Sequence, residues 1–265
     1  VKEFKKRVLA GICLAPLIAC LFYFLPLKWF FLFLSLVTLL AIFEGMTMTG
    51  VKERCLLLLL AVISLIPLYQ KLPALYLLWL VLSPVVYLFV KFLRGGSTQQ
   101  GINSEIMKGI NVMLLCEVFI VLPIFYLYLL KEINRYFPLI LLFTLWASDT
   151  SAYFVGKAFG KRPLVPRISP KKTYEGLFGA VLGSMMVIIL SHRVMGVGIL
   201  ESVLLGGIIG MLAQIGDVFE SVGKRICDVK DSSSLIPGHG GILDRIDSFI
   251  FTTPFVYHYL TGIKG

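Results

Sequence analysis

Nine apolar runs, near residues 8–27, 29–49, 55–70, 72–92, 109–130, 137–156, 174–195, 198–219 and 246–262, constrain this chain more than any other feature. Crossing the hydrocarbon core of a bilayer takes about 20 mostly apolar residues in a helix, and most of the runs reach that length. Backbone polar groups in lipid must be satisfied internally, which leaves helices or a closed barrel. Barrel strands alternate apolar and polar residues, whereas these runs are continuously apolar. The expected fold is all-α: a polytopic integral membrane protein of about nine transmembrane helices. At 58% hydrophobic and 15% charged residues, the chain has no room for a large soluble domain.

Lys and Arg concentrate in cytoplasmic loops. With the Lys2–Arg7 end placed inside and the runs alternating, 19 of the 25 Lys and Arg fall inside. Six fall outside: Lys28, Lys71, Lys131, Arg135, Arg193 and Lys264. A missed or invented helix would scramble every later loop, so the asymmetry predicts a cytoplasmic N-terminus and an outer C-terminus. The formal charge of +10 is then a topology signal and an attraction to anionic lipid. No nucleic-acid partner is expected, because no basic soluble domain carries the charge. Lys5-Lys6-Arg7 followed by an apolar run ending Leu17-Ile18-Ala19-Cys20 has lipoprotein-signal character, but the apolar sequence continues past Cys20, as in a first membrane anchor. The five cysteines lack C-x-x-C spacing and are expected as free thiols. The expected division is 1–135, holding spans one to five, and 136–265, holding spans six to nine and the chemistry. Gly95–Ser104 is a Gly/Ser/Gln-rich linker, expected to separate plain lipid-facing helices from the part of the chain where the chemistry collects.

The charged residues are not spread evenly. All six aspartates lie after residue 148: Asp149, Asp217, Asp228, Asp231, Asp244 and Asp247. Ionisable groups at membrane depth cost about 2.5–3.5 kcal/mol on insertion scales and face polar cavities. In the derived topology Asp149 and Asp217 enter from two different spans. Asp244 and Asp247 open the last one, where i,i+3 spacing sets both on one face. Carboxylates arriving from separate helices at one depth suit a hard cation such as magnesium, which takes one or two carboxylates and completes its shell with substrate phosphates. Each aspartate alone also fits a helix cap or an ion pair. That bland role suits Asp228 best; for Asp247 it weighs evenly against a metal role, whereas Asp217 and Asp244 are the candidate metal ligands.

Cations accompany them. Lys224-Arg225, Lys230 and Arg245 alternate with the acids between Glu220 and Ser248, and Lys171-Lys172 precede span seven. Lys and Arg at such positions clamp phosphoryl oxygens, although positive-inside anchoring suffices for Lys157, Lys161 and Arg162. Pro237-Gly238-His239-Gly240-Gly241 reads as a tight loop whose glycines let backbone approach a ligand. No G-x-x-x-x-G-K-[ST] occurs in the chain. His239 suits a phosphate hydrogen bond, general-acid work or a purely structural place in the loop. Thr173 is a reasonable N-cap for span seven, with Glu175 in its first turn. Glu117, mid-span in the fifth run, is a candidate partner for a back-half residue.

The residues from Ser221 to Asp247 resemble the signature of the phosphatidate cytidylyltransferases, or CDP-diacylglycerol synthases. That signature reads S-x-apolar-K-R, four residues, K-D, a spacer, then P-x-H-G-G-apolar-x-D-R-apolar-D. Here it appears as Ser221, Lys224-Arg225, Lys230-Asp231, Pro237, His239-Gly240-Gly241, Asp244-Arg245 and Asp247. Gly223 stands where the family has an apolar residue. The likeness extends upstream through Ser169-Pro170-Lys171-Lys172-Thr173-Tyr174-Glu175-Gly176 and the stretch Asp149–Gly160. It implies the nucleotidyl transfer CTP + phosphatidate → CDP-diacylglycerol + pyrophosphate in phospholipid biosynthesis. It further implies magnesium, room for a second cation (K+ or Mg2+), a homodimer, and a site at the cytoplasmic face of the cell (inner) membrane.

Within that frame the residues expected to carry catalysis are Asp217, Asp244, Lys224, Arg225, Lys230, Asp231, His239 and Arg245. Ser169, Lys171, Lys172, Gly240 and Gly241 are expected against substrate. Asp217 and Asp244 are the expected metal ligands, with Asp231 and Asp247 as second candidates. A CTP-dependent lipid kinase would share such a one-sided site. A cation or solute transporter would instead bring its polar groups to the bilayer midplane. The D-G-x-x-A-R signature of CDP-alcohol phosphotransferases is absent.

Overall fold

The computed structural model describes residues 14–94, 99–233, 235 and 240–262, with backbone alone at 94 and 99–103. Among them, every apolar run lies on a helix. In order these are α1 (Leu14–Phe24), α2 (Leu27–Thr49), α3 (Arg54–Tyr69), α4 (Pro73–Arg94) and α5 (Gln99–Cys116). The π turn Glu117–Val121 continues α5 into α6 (Leu122–Ile133), followed by α7 (Tyr136–Phe159). Then come α8 (Tyr174–Leu190), the short α9 (His192–Met195), α10 (Ile199–Ile226), the short α11 (Leu243–Ile246) and α12 (Phe249–Gly262). Among the described residues, five helices are long and apolar enough to cross a membrane: Leu27–Thr49, Pro73–Leu93, Ser104–Ile133, Tyr136–Phe159 and Ile199–Ile226. The helices α1, α3 and α8 are apolar but shorter.

One element departs from the expected all-helical reading. Between α7 and α8 the chain forms an antiparallel hairpin, β1 (Pro163–Val165) with β2 (Ser169–Thr173), pairing Pro163 with Thr173 and Val165 with Ser169. Strands this short show no readable alternation, and β2 holds the Lys171-Lys172 pair taken from sequence as loop. Thr173 then caps α8 as expected, its Oγ1 accepting from Gly176 N at 3.1 Å. Glu175 Oε2 reaches back to accept from Lys161 N at 3.1 Å, fixing the hairpin to the start of α8.

Helix α8 lies between α7 and α10, and small residues set that closeness. A Cβ at Gly179 would come within 2.7 Å of Val155 on α7, and one at Gly183 within 2.6 Å of Ala147 O. On the other side, a Cβ at Gly206 would lie 2.6 Å from Met185 Cα. This is the small-xxx-small packing by which membrane helices approach backbone to backbone. Buried hydroxyls inside the bundle bond their own helix, as Thr144 does to Ile140 O at 2.7 Å and Ser184 to Ala180 O at 2.8 Å. The helix α12 packs on α6 and α10, and α11 touches α2, so the last stretch of chain joins the two halves.

Glu117 does not reach a back-half residue. It is buried in the π turn, and Tyr76 of α4 donates to its Oε2 at 3.1 Å and to its carbonyl at 3.2 Å. Among the described residues its partner therefore belongs to the front half.

Candidate active site

The site is built on the last turns of α10. A period of 3.6 residues sets Gln214, Asp217, Glu220 and Lys224 along one stripe of this helix. Asp247, between α11 and α12, comes down onto that stripe. It gets there because residue 216 is glycine: a Cβ at Gly216 would collide with the Asp247 carbonyl oxygen and lie 3.2 Å from its carbonyl carbon. As a result, carboxylate oxygens of Asp217, Glu220 and Asp247 lie within 4.8 Å of one another.

Two lysines border this cluster. Lys172, from β2, places Nζ 2.6 Å from Asp217 Oδ2. Lys224 Nζ sits 2.5 Å from Glu220 Oε2 and 2.6 Å from Asp244 Oδ1. Asp149 on α7 joins through Gln214, whose Nε2 donates to Asp149 Oδ1 at 3.3 Å. Negative charge remains in excess. Burial, with the charges of Asp217, Glu220 and Asp149, holds the Asp247 carboxyl well above its ordinary 3.8. Its Oδ1 accepts from Ser248 N at 2.6 Å. Glu220 is only 6% exposed, and its Oε1 has no hydrogen-bond partner among the described residues. An orphaned buried carboxylate oxygen among like charges, with oxygen donors only, fits a hard divalent cation.

Asp244 belongs to a neighbouring network. Its Oδ2 accepts from Gly241 N at 2.8 Å, Ser232 Oγ at 3.0 Å and Ser232 N at 3.2 Å, while Oδ1 takes Lys224. Burial acts to raise its carboxyl, but the hydrogen bonds from Lys224 and Gly241, with the Lys224 charge, outweigh it and hold the carboxyl down to about 2. Gly240 takes φ 79°, and a Cβ there would come within 2.6 Å of Asp244 Oδ2. Glycine is needed at 240 for both reasons.

Of the residues expected from sequence, Asp217, Asp244, Asp247, Lys172, Lys224, Gly240 and Gly241 therefore meet in one region. Arg225 points elsewhere, donating from Nε to Ile168 O and from its guanidinium to Val229 O, both at 3.2 Å, so it ties the hairpin turn to the segment after α10. Ser169 pairs with Val165 in the hairpin. Lys171, Lys230, Asp231 and Arg245 are exposed. Pro237, Gly238 and His239 lie outside the described residues. Asp228 closes α10 at φ 55°, a position usually left to glycine or asparagine. Sequence reasoning missed Glu220, although its place three residues after Asp217 and four before Lys224 was a usable signal. It also missed Glu44 of α2, a lone carboxylate in an apolar run, whose Oε2 accepts from Ser232 Oγ at 3.0 Å.

Gly223, the one departure from the signature, has open space where a Cβ would go. Gly223→Ala is therefore expected to stabilise α10 by about 0.5–1 kcal/mol and leave turnover unchanged, as read by thermal unfolding in detergent beside an activity assay.

A multi-helix membrane bundle in which β2, the end of α10 and the α11–α12 junction gather carboxylates and lysines has the groups that phosphate chemistry needs. The chain matches the Cytidylyltransferase family over residues 5–263 and belongs to it. It is 44% identical over 132 residues to a phosphatidate cytidylyltransferase of Aquifex aeolicus, covering 50% of each chain. A phosphatidate cytidylyltransferase of Bacillus subtilis is 36% identical over 163 residues, 60% of this chain and 61% of that one. One of Haemophilus influenzae is 43% identical over 120 residues, 43% of this chain and 42% of that one. The chain thus spans about half the length of the curated relatives it matches. The expected family resemblance is borne out.

Proposed function

We propose that this protein transfers the cytidylyl group of CTP to phosphatidate, giving CDP-diacylglycerol and pyrophosphate, at the cytoplasmic face of a cell membrane. The observation that carries this is the carboxylate cluster of Asp217, Glu220 and Asp247 bordered by Lys172 and Lys224. Membership of the family and the names of its relatives supply the substrates. A phosphatidate phosphate oxygen forms the new bond to the α-phosphorus of CTP, and the bond from that phosphorus to the β-phosphate oxygen breaks. The nucleophile is already an anion, so no strong base is required of the protein.

Two polyanions must approach, and positive charge must offset their repulsion. Asp217, Glu220 and Asp247 would hold magnesium, which would supply that charge at the phosphates. Lys172 and Lys224 would turn from their carboxylate partners to phosphoryl oxygens, and the exposed cations Lys171, Lys230 and Arg245 would hold CTP. The 19-to-6 distribution of Lys and Arg supports the cytoplasmic orientation. A second cation and a homodimer remain part of the proposal.

Pyrophosphate release from CTP by the detergent-purified protein is expected to require both phosphatidate and magnesium. Excess chelator should abolish it and added magnesium restore it. Release that ignores chelator or phosphatidate would contradict the assignment.

A further inference from the structure

Ser232, Ser233 and the start of α11 are held from the other half of the molecule by Glu44. This residue sits near the end of α2, 3% exposed. Its carboxylate accepts four hydrogen bonds, all from the loop around α11. Oε1 takes Ser233 Oγ at 2.6 Å and Ile242 N at 3.0 Å, and Oε2 takes Ser232 Oγ at 3.0 Å and Leu243 N at 2.9 Å. A carboxylate offers about four lone-pair sites, so every one is filled.

The loop is shaped around this group. A Cβ at Gly241 would collide with both Glu44 Oε2 and Ser232 Oγ, so residue 241 is glycine to let the backbone lie against the carboxylate. Ser232 Oγ is 3.0 Å from Glu44 Oε2 and 3.0 Å from Asp244 Oδ2, one proton between two carboxylates. From Asp244 the contacts run on to Lys224 and Glu220. A continuous set of polar contacts therefore joins α2 to the carboxylate cluster. An acid in the apolar interior of α2 adds nothing to that helix itself, and burying a charge is costly unless it is fully hydrogen-bonded.

We infer that Glu44 is a positioning residue for the nucleotidyl transfer: it ties Ser232, Ser233 and the start of α11 together so that Asp244 and Asp247 stand in register with Lys224 and the carboxylates of α10. The inference rests on the proposed activity, and Glu44 touches neither substrate nor the reacting atoms. Partners one shell out from a reacting centre typically affect activity about 10–100-fold. Glu44→Ala is accordingly expected to lower kcat about 100-fold, with KM for CTP within about threefold. Glu44→Gln keeps the size and one acceptor oxygen and should recover part of the loss.

The test measures kcat and KM for CTP, thermal unfolding, and hydrogen exchange over residues 240–248 in wild type, Glu44→Ala, Glu44→Gln and Ser233→Ala. Ser233→Ala removes only one of the four bonds, which keeps the inference open to refutation if Glu44→Ala fails to fold. The expected result is faster exchange over 240–248, unchanged exchange in α7 and α8, and a graded fall in kcat from Ser233→Ala to Glu44→Ala. Wild-type kcat in Glu44→Ala, unaltered exchange over 240–248, or loss that tracks global unfolding alone would overturn it. If wild type itself made no CDP-lipid, the proposed activity would fall, and the exchange measurement would still decide whether Glu44 holds the loop.

Discussion

Asp247→Asn is expected to cut kcat by about a hundredfold or more while leaving the protein at least as stable as wild type. The substitution exchanges one oxygen for an amide. Asn Oδ1 can still accept from Ser248 N, as Asp247 does at 2.6 Å, so the entry to α12 keeps its bond. What is lost is a negative charge from the cluster with Asp217 and Glu220, and with it part of the means of holding a divalent cation. Losing one preorganised electrostatic group at a reacting centre costs about 10²–10³ in kcat. Stability moves the other way because those neighbours and burial raise the Asp247 carboxyl above 3.8. A raised folded-state value adds stability that is fully present below 3.8 and is lost as pH rises through the folded value. The amide has no such loss. Thermal unfolding in chelator across pH 4 to 8 should therefore show wild type losing ground to Asp247→Asn as pH rises. A variant that is less stable throughout, or nearly as active as wild type, would show that Asp247 is an ordinary cap.

Gly216→Ala is the second large effect, and it works through backbone alone. A methyl group at 216 would collide with the Asp247 carbonyl oxygen. The obstacle is main chain, which cannot rotate away as a side chain would, so α10 and the α11–α12 junction must separate. Overpacking of this kind costs about 1–3 kcal/mol. The larger consequence is geometric: the Asp247 carboxylate moves relative to Asp217 and Glu220, and a displacement of about 1 Å at a reacting centre can cost about a hundredfold. The expected outcome is a kcat loss comparable with that of Asp247→Asn, a higher magnesium concentration for half-maximal rate, and a modest fall in the unfolding midpoint. Gly223→Ala, on the same helix but facing open space, is the matched control.

The architecture was legible because apolar runs in a membrane protein are dictated by bilayer thickness, a one-dimensional constraint. Thr173 as a cap was legible for the same reason, since its partner Gly176 is three residues away. Asp217 and Asp247 could be named because a carboxylate at a span boundary is costly without a role. The way they combine could not be read. Asp217 and Asp244 look equivalent in sequence, yet Gly216 admits Asp247 to the α10 stripe, while Lys224 and the loop amides take up Asp244. Glu220 was overlooked inside a dense run of charges, where its helical phase with Asp217 and Lys224 was the cue. Glu44 lies 188 residues from Ser232, so nothing local to either segment points to their meeting. The hairpin is too short for a period-2 signal, and it matters because it carries Lys172 to Asp217.

The most direct measurement follows two labels in CTP, one in the cytosine ring and one in the γ-phosphate, during incubation with purified protein, dispersed phosphatidate and magnesium. Cytidylyl transfer predicts that the ring label enters the organic phase, that the γ label stays in water as pyrophosphate, and that lipid labelling and pyrophosphate formation both fall about a hundredfold or more in Asp247→Asn. Ring label confined to the aqueous phase, with γ label passing into lipid, would contradict nucleotidyl transfer and make the protein a lipid kinase.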